Sequence, residues 1–151
     1  METLSILLAT DGSPKALAAA QWLNRYANPQ RARITLVTVM HPPSTAWTVG
    51  AGGYVLDVDI YQKTFQEMVE EERADAQEAL IQTQNYLHQC PPVASEVLIG
   101  SPAAMIVDYA TNHGMDLIVM GRRGHSALGN LVGSVSFSVL QRSPMPVTFV
   151  G

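Results

Sequence analysis

The chain predicts an α/β fold, a single doubly wound five-stranded parallel sheet with strand order 3-2-1-4-5 and helices on both faces. Three observations carry the prediction. Short, almost wholly apolar runs such as Leu4 to Ala9, Ile34 to Val39 and Asp116 to Met120 have the pattern of strands covered on both sides, as parallel sheets require. Segments of helical spacing separate them, so strands and helices alternate along the chain. Turn and capping residues stand at the joints, and right-handed crossovers then wind the sheet outward from its first strand in both directions.

Taken in order, Leu4 to Ala9 is the first strand. Asp11-Gly12-Ser13-Pro14 follows with a turn, a capping hydroxyl at Ser13, and a proline at the first helical position, where an N–H is not needed. Ala16, Ala20, Leu23 and Ala27 recur at helical spacing until Asn28-Pro29, and Ile34 to Val39 completes a βαβ unit. From Pro42-Pro43 to Gly52-Gly53 no period is sustained, which predicts a long loop of the kind that often forms a mobile lid. Between Ile60 and His88 a helix is expected, with Phe65, Val69, Ala76, Leu80 and Leu87 on one face. Glu67, Glu70, Glu71 and Glu78 fall mostly elsewhere, as a solvated acidic face. After Pro91-Pro92 come a strand at Val93 to Ile99, a helix at Pro102 to His113, and the strand Asp116 to Met120, which Gly121 ends. A glycine-rich loop leads to a helix over Ser134 to Gln141 and a last strand, Pro146 to Val150. Nothing repeats, and residues 1–151 are expected to form one domain.

Composition excludes several function classes. With 47% hydrophobic residues in 151, the chain has enough apolar mass for one core, which excludes disorder. Nine basic residues against 13 acidic ones give a formal charge of -4, so neither a nucleic acid nor an anionic membrane is an expected partner. The single cysteine, Cys90, makes no intramolecular disulfide and no thiolate zinc site, a usage that fits a reducing compartment; a cytoplasmic location is expected. The opening Met1-Glu2-Thr3 lacks a basic leader, and no run reaches the ~18 apolar residues of a membrane span.

In a sheet of this order, ligands sit beyond the carboxyl ends of strands one and four, where the winding reverses. Two loops meet there, Ala9 to Ser13 and Gly121 to Ser134. The second has glycines at 121, 124, 129 and 133 and enters a helix whose first turn carries Ser134 and Ser136. Backbone N–H groups that converge without a Cβ in the way, a helix N-terminus and a hydroxyl together suit an anion, and phosphate is the natural one. Arg122 and Arg123 either add charge to it or are solvated, and the same alternatives hold for His125.

No G-x-G-x-x-G follows the first strand and no P-loop occurs, so dinucleotide and P-loop NTPase sites are unsupported. A phosphoacceptor receiver is disfavoured because Ile99-Gly100-Ser101 has no carboxylate and no lysine follows the last strand. His41, His88 and His113 lack metal-ligand spacing, and His88 stands two residues from Cys90, facing away on a helix. Neither a catalytic residue nor a protein metal site is assigned. Met40, Met105, Met115 and Met120 are expected to fill core gaps.

The runs Ile6-Leu7-Leu8-Ala9-Thr10-Asp11-Gly12-Ser13, Val97-Leu98-Ile99-Gly100-Ser101-Pro102, Asp116-Leu117-Ile118-Val119-Met120-Gly121, Gly133-Ser134-Val135-Ser136 and Pro144-Met145-Pro146-Val147 together resemble the universal stress protein family over essentially the whole chain. Members that bind ATP carry G-x-x-G, nine residues, then G-[ST] after the fourth strand. The resemblance implies that Gly121, Gly124, Gly133 and Ser134 hold ribose and phosphates, with Asp11 a polar contact to the nucleoside and Val39 against the adenine. Here residues 125 to 132 number eight, one fewer. Either the deletion falls in an exposed bulge that Gly129 absorbs, or it moves Gly133 off the phosphates.

With the flanking loop positions, the expected cofactor-binding set is Thr10, Asp11, Val39, Met120, Gly121, Arg123, Gly124, Gly133, Ser134, Val135 and Ser136. The expected ligand is ATP, or AMP or ADP, with Mg²⁺ bridging the phosphates. The expected function is that of an adenine-nucleotide-binding stress-response regulator. It would act as a homodimer paired through the apolar edge strand Pro146 to Val150, unless Pro146 and the strand's shortness leave it a monomer. A nucleotide-free interaction module and a slow ATPase are the alternatives.

Overall fold

The computed structural model describes residues 2–41, 58–124 and 132–151, apart from the side chains of Val58 and Tyr61. Its five strands are β1 (Leu4–Ala9), β2 (Ala32–Met40), β3 (Ala94–Ile99), β4 (Leu117–Gly121) and β5 (Val147–Val150). All adjacent strands are parallel, in the order β3-β2-β1-β4-β5, as the sequence predicts. Four helices are described: α1 (Pro14–Tyr26), α2 (Val58–Gln84), α3 (Pro102–Asn112) and α4 (Ser134–Arg142).

Alternation along the central strands divides the core between the two faces of the sheet. Ile6 and Leu8 of β1, Ile34 and Leu36 of β2, and Val119 of β4 turn one way. They pack against Ala19, Ala20 and Leu23 of α1 and Leu80 of α2. Leu7, Ala9, Val37, Ile118 and Met120 turn the other way, onto Ile106, Val107 and Ala110 of α3 and Val139 of α4. Each fully buried Leu, Ile or Val contributes about 1.5–3 kcal/mol relative to an exposed one, which is why the apolar runs fix the central strands. Edge strand β3, with Ser95 and Glu96, is largely exposed.

The start of α1 follows its sequence signals. Ser13 has extended backbone and its Oγ accepts from the Ala16 N–H at 3.4 Å, while Pro14 takes the first helical position. Several boundaries differ from expectation by a residue or two, and two are set by the strand ladders. β2 begins at Ala32 because Leu4 and Ser5 extend the ladder to Ala32 and Arg33. β5 begins at Val147, with the Pro146 carbonyl accepting from Ile118 N–H at 3.0 Å.

Helix α2 stops at Gln84, short of His88. The Tyr86 and Leu87 N–H groups donate to the Thr83 and Gln84 carbonyls (3.1 and 2.9 Å), a tightened last turn that drops Leu87 into the core. Gln89 N–H then donates to Asn24 Oδ1 on α1 at 2.8 Å. The apolar stripe of α2 is also only partly used. Ala76, Ala79, Leu80 and Thr83 are buried, whereas Phe65 and Val69 are half-buried. A helix of 27 residues is ~40 Å long and overruns strands of six to nine residues, so its first turns have no sheet beneath them.

Cys90 is buried, and burial pushes its thiol pKa up, away from reactivity. Among the described residues no helix is long and apolar enough to cross a membrane. The expected lid loop, Pro42 to Gly53, lies outside the described residues apart from its approach at His41.

Candidate functional site

β1 pairs with β2 on one side and β4 on the other, so the crossovers diverge at its carboxyl end, where Ala9 stands beside Met120. The chain leaving β1 is held by hydrogen bonds. Thr10 N–H donates to the Val37 carbonyl at 2.9 Å, and Gly12 N–H to Thr10 Oγ1 at 3.1 Å. Gly12 has φ +75°, a left-handed conformation in which any side chain would be strained. Ser13 N–H donates to Asp11 Oδ1 at 2.9 Å, which fixes the carboxylate as an Asx turn at the mouth of the loop.

The chain leaving β4 is held by close approach of backbone. A Cβ on Gly121 would stand 2.8 Å from the Lys15 carbonyl carbon and 2.9 Å from Ala16 N, so Gly121 is what lets the first turn of α1 seat against β4. A Cβ on Gly133 would meet Arg123 Cα at 3.2 Å. Gly133 N–H donates to the Arg122 carbonyl at 3.0 Å, and the buried Ser136 hydroxyl to the Gly121 carbonyl at 2.9 Å. These contacts clamp the start of α4 onto the end of β4. A Cβ on Gly124 would collide with Asp11 Oδ2, so the two loops touch at that point.

Between the loops lies a cleft of about 230 Å³, far more than the ~15 Å³ one water needs. All eleven residues of the expected set line it. Thr10 and Asp11 follow β1, Val39 comes from β2, and Met120 and Gly121 end β4. Arg123 and Gly124 follow β4, and Gly133, Ser134, Val135 and Ser136 form the start of α4. The first regular bond of α4 runs from Phe137 N–H to the Gly133 carbonyl at 2.9 Å. The N–H groups of its first turn precede that bond and give the helix its partial positive end.

The two arginines diverge. Arg123 lines the cleft, whereas Arg122 donates its N–H to the Val150 carbonyl at 2.9 Å and buries its Nε without a hydrogen-bond partner. Ser136, expected to offer its hydroxyl to an anion, gives its proton to Gly121 instead, and Ser134 is the exposed hydroxyl at the helix start. Met120 serves both expectations, packing in the core and lining the cleft. His125 and Gly129 lie outside the described residues.

Ala9 and Ser13, the ends of the first expected loop, line it as well, whereas sequence reasoning missed its apolar part: Val37, Ala16, Pro102 and Ile106. Two of these had a signal. Val37 lies two residues from Val39 on the same strand face, and Ile106 stands one turn after Pro102. Asp11 is the sole carboxylate among the described lining residues, and no three His, Cys, Asp or Glu among the described residues gather to hold a metal.

Residues 3–151 match the model of the universal stress protein family. A universal stress protein from Thermus aquaticus is 32% identical over 147 residues, 97% of either chain. Among solved structures, universal stress protein UspA from Lactobacillus plantarum aligns with a TM-score of 0.78 at 26% identity, over 100% of this chain and 99% of that one. The universal stress protein from Archaeoglobus fulgidus, solved in complex with dAMP, aligns with a TM-score of 0.67 at 21% identity over 100% of both chains.

Proposed function

The chain belongs to the universal stress protein family, and on that premise we propose that its cleft binds an adenine nucleotide, ATP ahead of AMP or ADP, to make it a cytoplasmic, nucleotide-responsive stress regulator. The observation that carries this is the meeting, in one cleft, of an apolar floor, a fixed carboxylate and a helix N-terminus. Val37, Val39, Pro102 and Ile106 suit a purine face; Asp11, held by its Asx turn, suits a nucleoside hydroxyl. Arg123, the Ser134 hydroxyl and the first N–H groups of α4 suit phosphates. The relative solved with dAMP supports the adenine class. The shortened loop is compatible with this arrangement, since Gly133 still packs on Arg123 and Gly124.

With Asp11, the one carboxylate in the described lining, given to the nucleoside, Mg²⁺ would arrive on the phosphates and keep most of its waters. Bound, it would neutralise phosphate charge. No lysine stands among the described lining residues, so any hydrolysis is expected below ~1 per second. The test of the ligand is direct: release small molecules by acid from freshly purified protein and identify them by mass. Adenine nucleotide near one per chain supports the proposal. Its absence, together with no binding of millimolar Mg-ATP, would leave the nucleotide-free interaction module.

The same proposal includes a homodimer through β5. The ladder bonds from Ile118 N–H to Pro146 and from Arg122 N–H to Val150 orient Pro146, Thr148 and Val150 toward β4, which points the N–H groups of Val147 and Phe149 outward along the open edge. Exposed Val132, Phe137 and Leu140 lie on and just before the neighbouring α4. Phe149 itself leans on the core, so a lysine there would also cost folding stability. Val147→Pro removes an outward N–H with little change in apolar volume and is expected to shift the protein from dimer to monomer on a sizing column. A monomeric wild type at high micromolar concentration would refute the edge pairing.

A further inference from the structure

Thr83 of α2 is fully buried and lies outside the cleft lining. Its hydroxyl donates to the Ala79 carbonyl at 2.7 Å, which uses its one proton. The Thr83 and Thr10 hydroxyl oxygens are 2.7 Å apart. The proton between them therefore comes from Thr10, whose oxygen in turn accepts from Gly12 N–H at 3.1 Å. A directed chain results, from Gly12 N–H through Thr10 Oγ1 and Thr83 Oγ1 to the Ala79 carbonyl. Thr83 is fully buried and Thr10 nearly so, so a break leaves a hydroxyl proton without its acceptor where few other partners are at hand. Contact reinforces the link, because a Cβ on Gly12 would stand 3.1 Å from Ala79 Cβ.

We propose that Thr83 is a positioning residue for the nucleoside end of the cleft: through Thr10 it sets the turn that aims Asp11, and so couples the docking of α2 to nucleotide occupancy. The proposal rests on the nucleotide site proposed above for its binding consequence, and on the hydrogen-bond chain alone for its structural one. By linkage, a nucleotide that holds the loop also holds the C-terminal half of α2.

The test uses Thr83→Val, which keeps the shape and removes the hydroxyl, and Thr83→Ser, which keeps the hydroxyl. Thr83→Ala replaces the valine variant should that fail to fold. Calorimetric titration with Mg-ATP and with AMP is paired with amide hydrogen exchange on the nucleotide-free protein. The valine variant is expected to bind both nucleotides about tenfold more weakly, by the same factor, since the loss lies at the shared nucleoside end. Exchange at Gly12 and Ser13 should quicken by about tenfold while β4 amides keep their rates, and the serine variant should restore both readouts to within roughly twofold. Wild-type affinity in Thr83→Val, or unchanged exchange at Gly12, would overturn the proposal. If the wild type binds neither nucleotide, the proposed site falls, and the exchange data alone decide whether Thr83 positions the loop.

Discussion

The two loops that meet across the cleft are held in opposite ways. After β1, side chains do the holding: Thr10 takes the Gly12 N–H, Asp11 takes the Ser13 N–H, and Ser13 caps α1. After β4, close approach of backbone does most of it, with Gly121 against the α1 backbone and Gly133 against Arg123, and one side-chain bond, from the Ser136 hydroxyl to the Gly121 carbonyl, is added. A loop built by side-chain bonds loses about one bond's worth of stability when a member is trimmed. A loop built by close approach cannot absorb an added carbon where the neighbour is backbone. Gly124 stands between these cases, because its neighbour is the Asp11 carboxylate, the end of a side chain that can yield only by giving up its bond from the Ser13 N–H.

The largest effect is expected at Gly121. Gly121→Ala puts a methyl into the backbone of Lys15 and Ala16, and should destabilise the fold by about 3 kcal/mol, read from the urea midpoint. A midpoint like that of the wild type would mean that α1 is not seated as described. Next is Ser13→Ala, which deletes the cap of α1 and should cost about 1 kcal/mol in thermal melts, with a Ser13→Asn variant recovering most of it. A loss as large as that at Gly121 would erase the contrast between the loops. Smallest in stability is Gly124→Val, expected to cost under about 1 kcal/mol because Asp11 yields at the expense of one part-buried hydrogen bond, from the Ser13 N–H. Its consequence belongs to ligand binding instead.

Much of this arrangement was legible in the sequence. Apolar runs revealed the buried strands, and the βα alternation gave their order, which in turn placed Asp11, Gly121 and Ser134 in one cleft. Periodicity also showed which face of α2 is apolar, yet it carries no information on where the sheet ends, so Phe65 and Val69 looked equivalent to Ala76 and Leu80. The glycines were harder. A glycine pressed against backbone and one facing a side chain are written with the same letter, and only their neighbours in the fold separate Gly121 from Gly124. Likewise nothing local distinguishes Arg122 from Arg123, whose directions depend on β5, and Thr83 is 73 residues from the Thr10 it supports.

We propose that the cleft between these loops is a nucleotide site and that Gly124 leaves the ligand room at its mouth. Melting temperatures of wild type and Gly124→Val, each with and without Mg-ATP, decide this. At a hundredfold excess over Kd, a ligand that binds only the folded state adds about 2.7 kcal/mol. The wild type should therefore melt several degrees higher with Mg-ATP, whereas Gly124→Val should melt near the ligand-free wild type under both conditions. A wild type that does not respond to millimolar Mg-ATP, or a valine variant that responds equally, would contradict the claim.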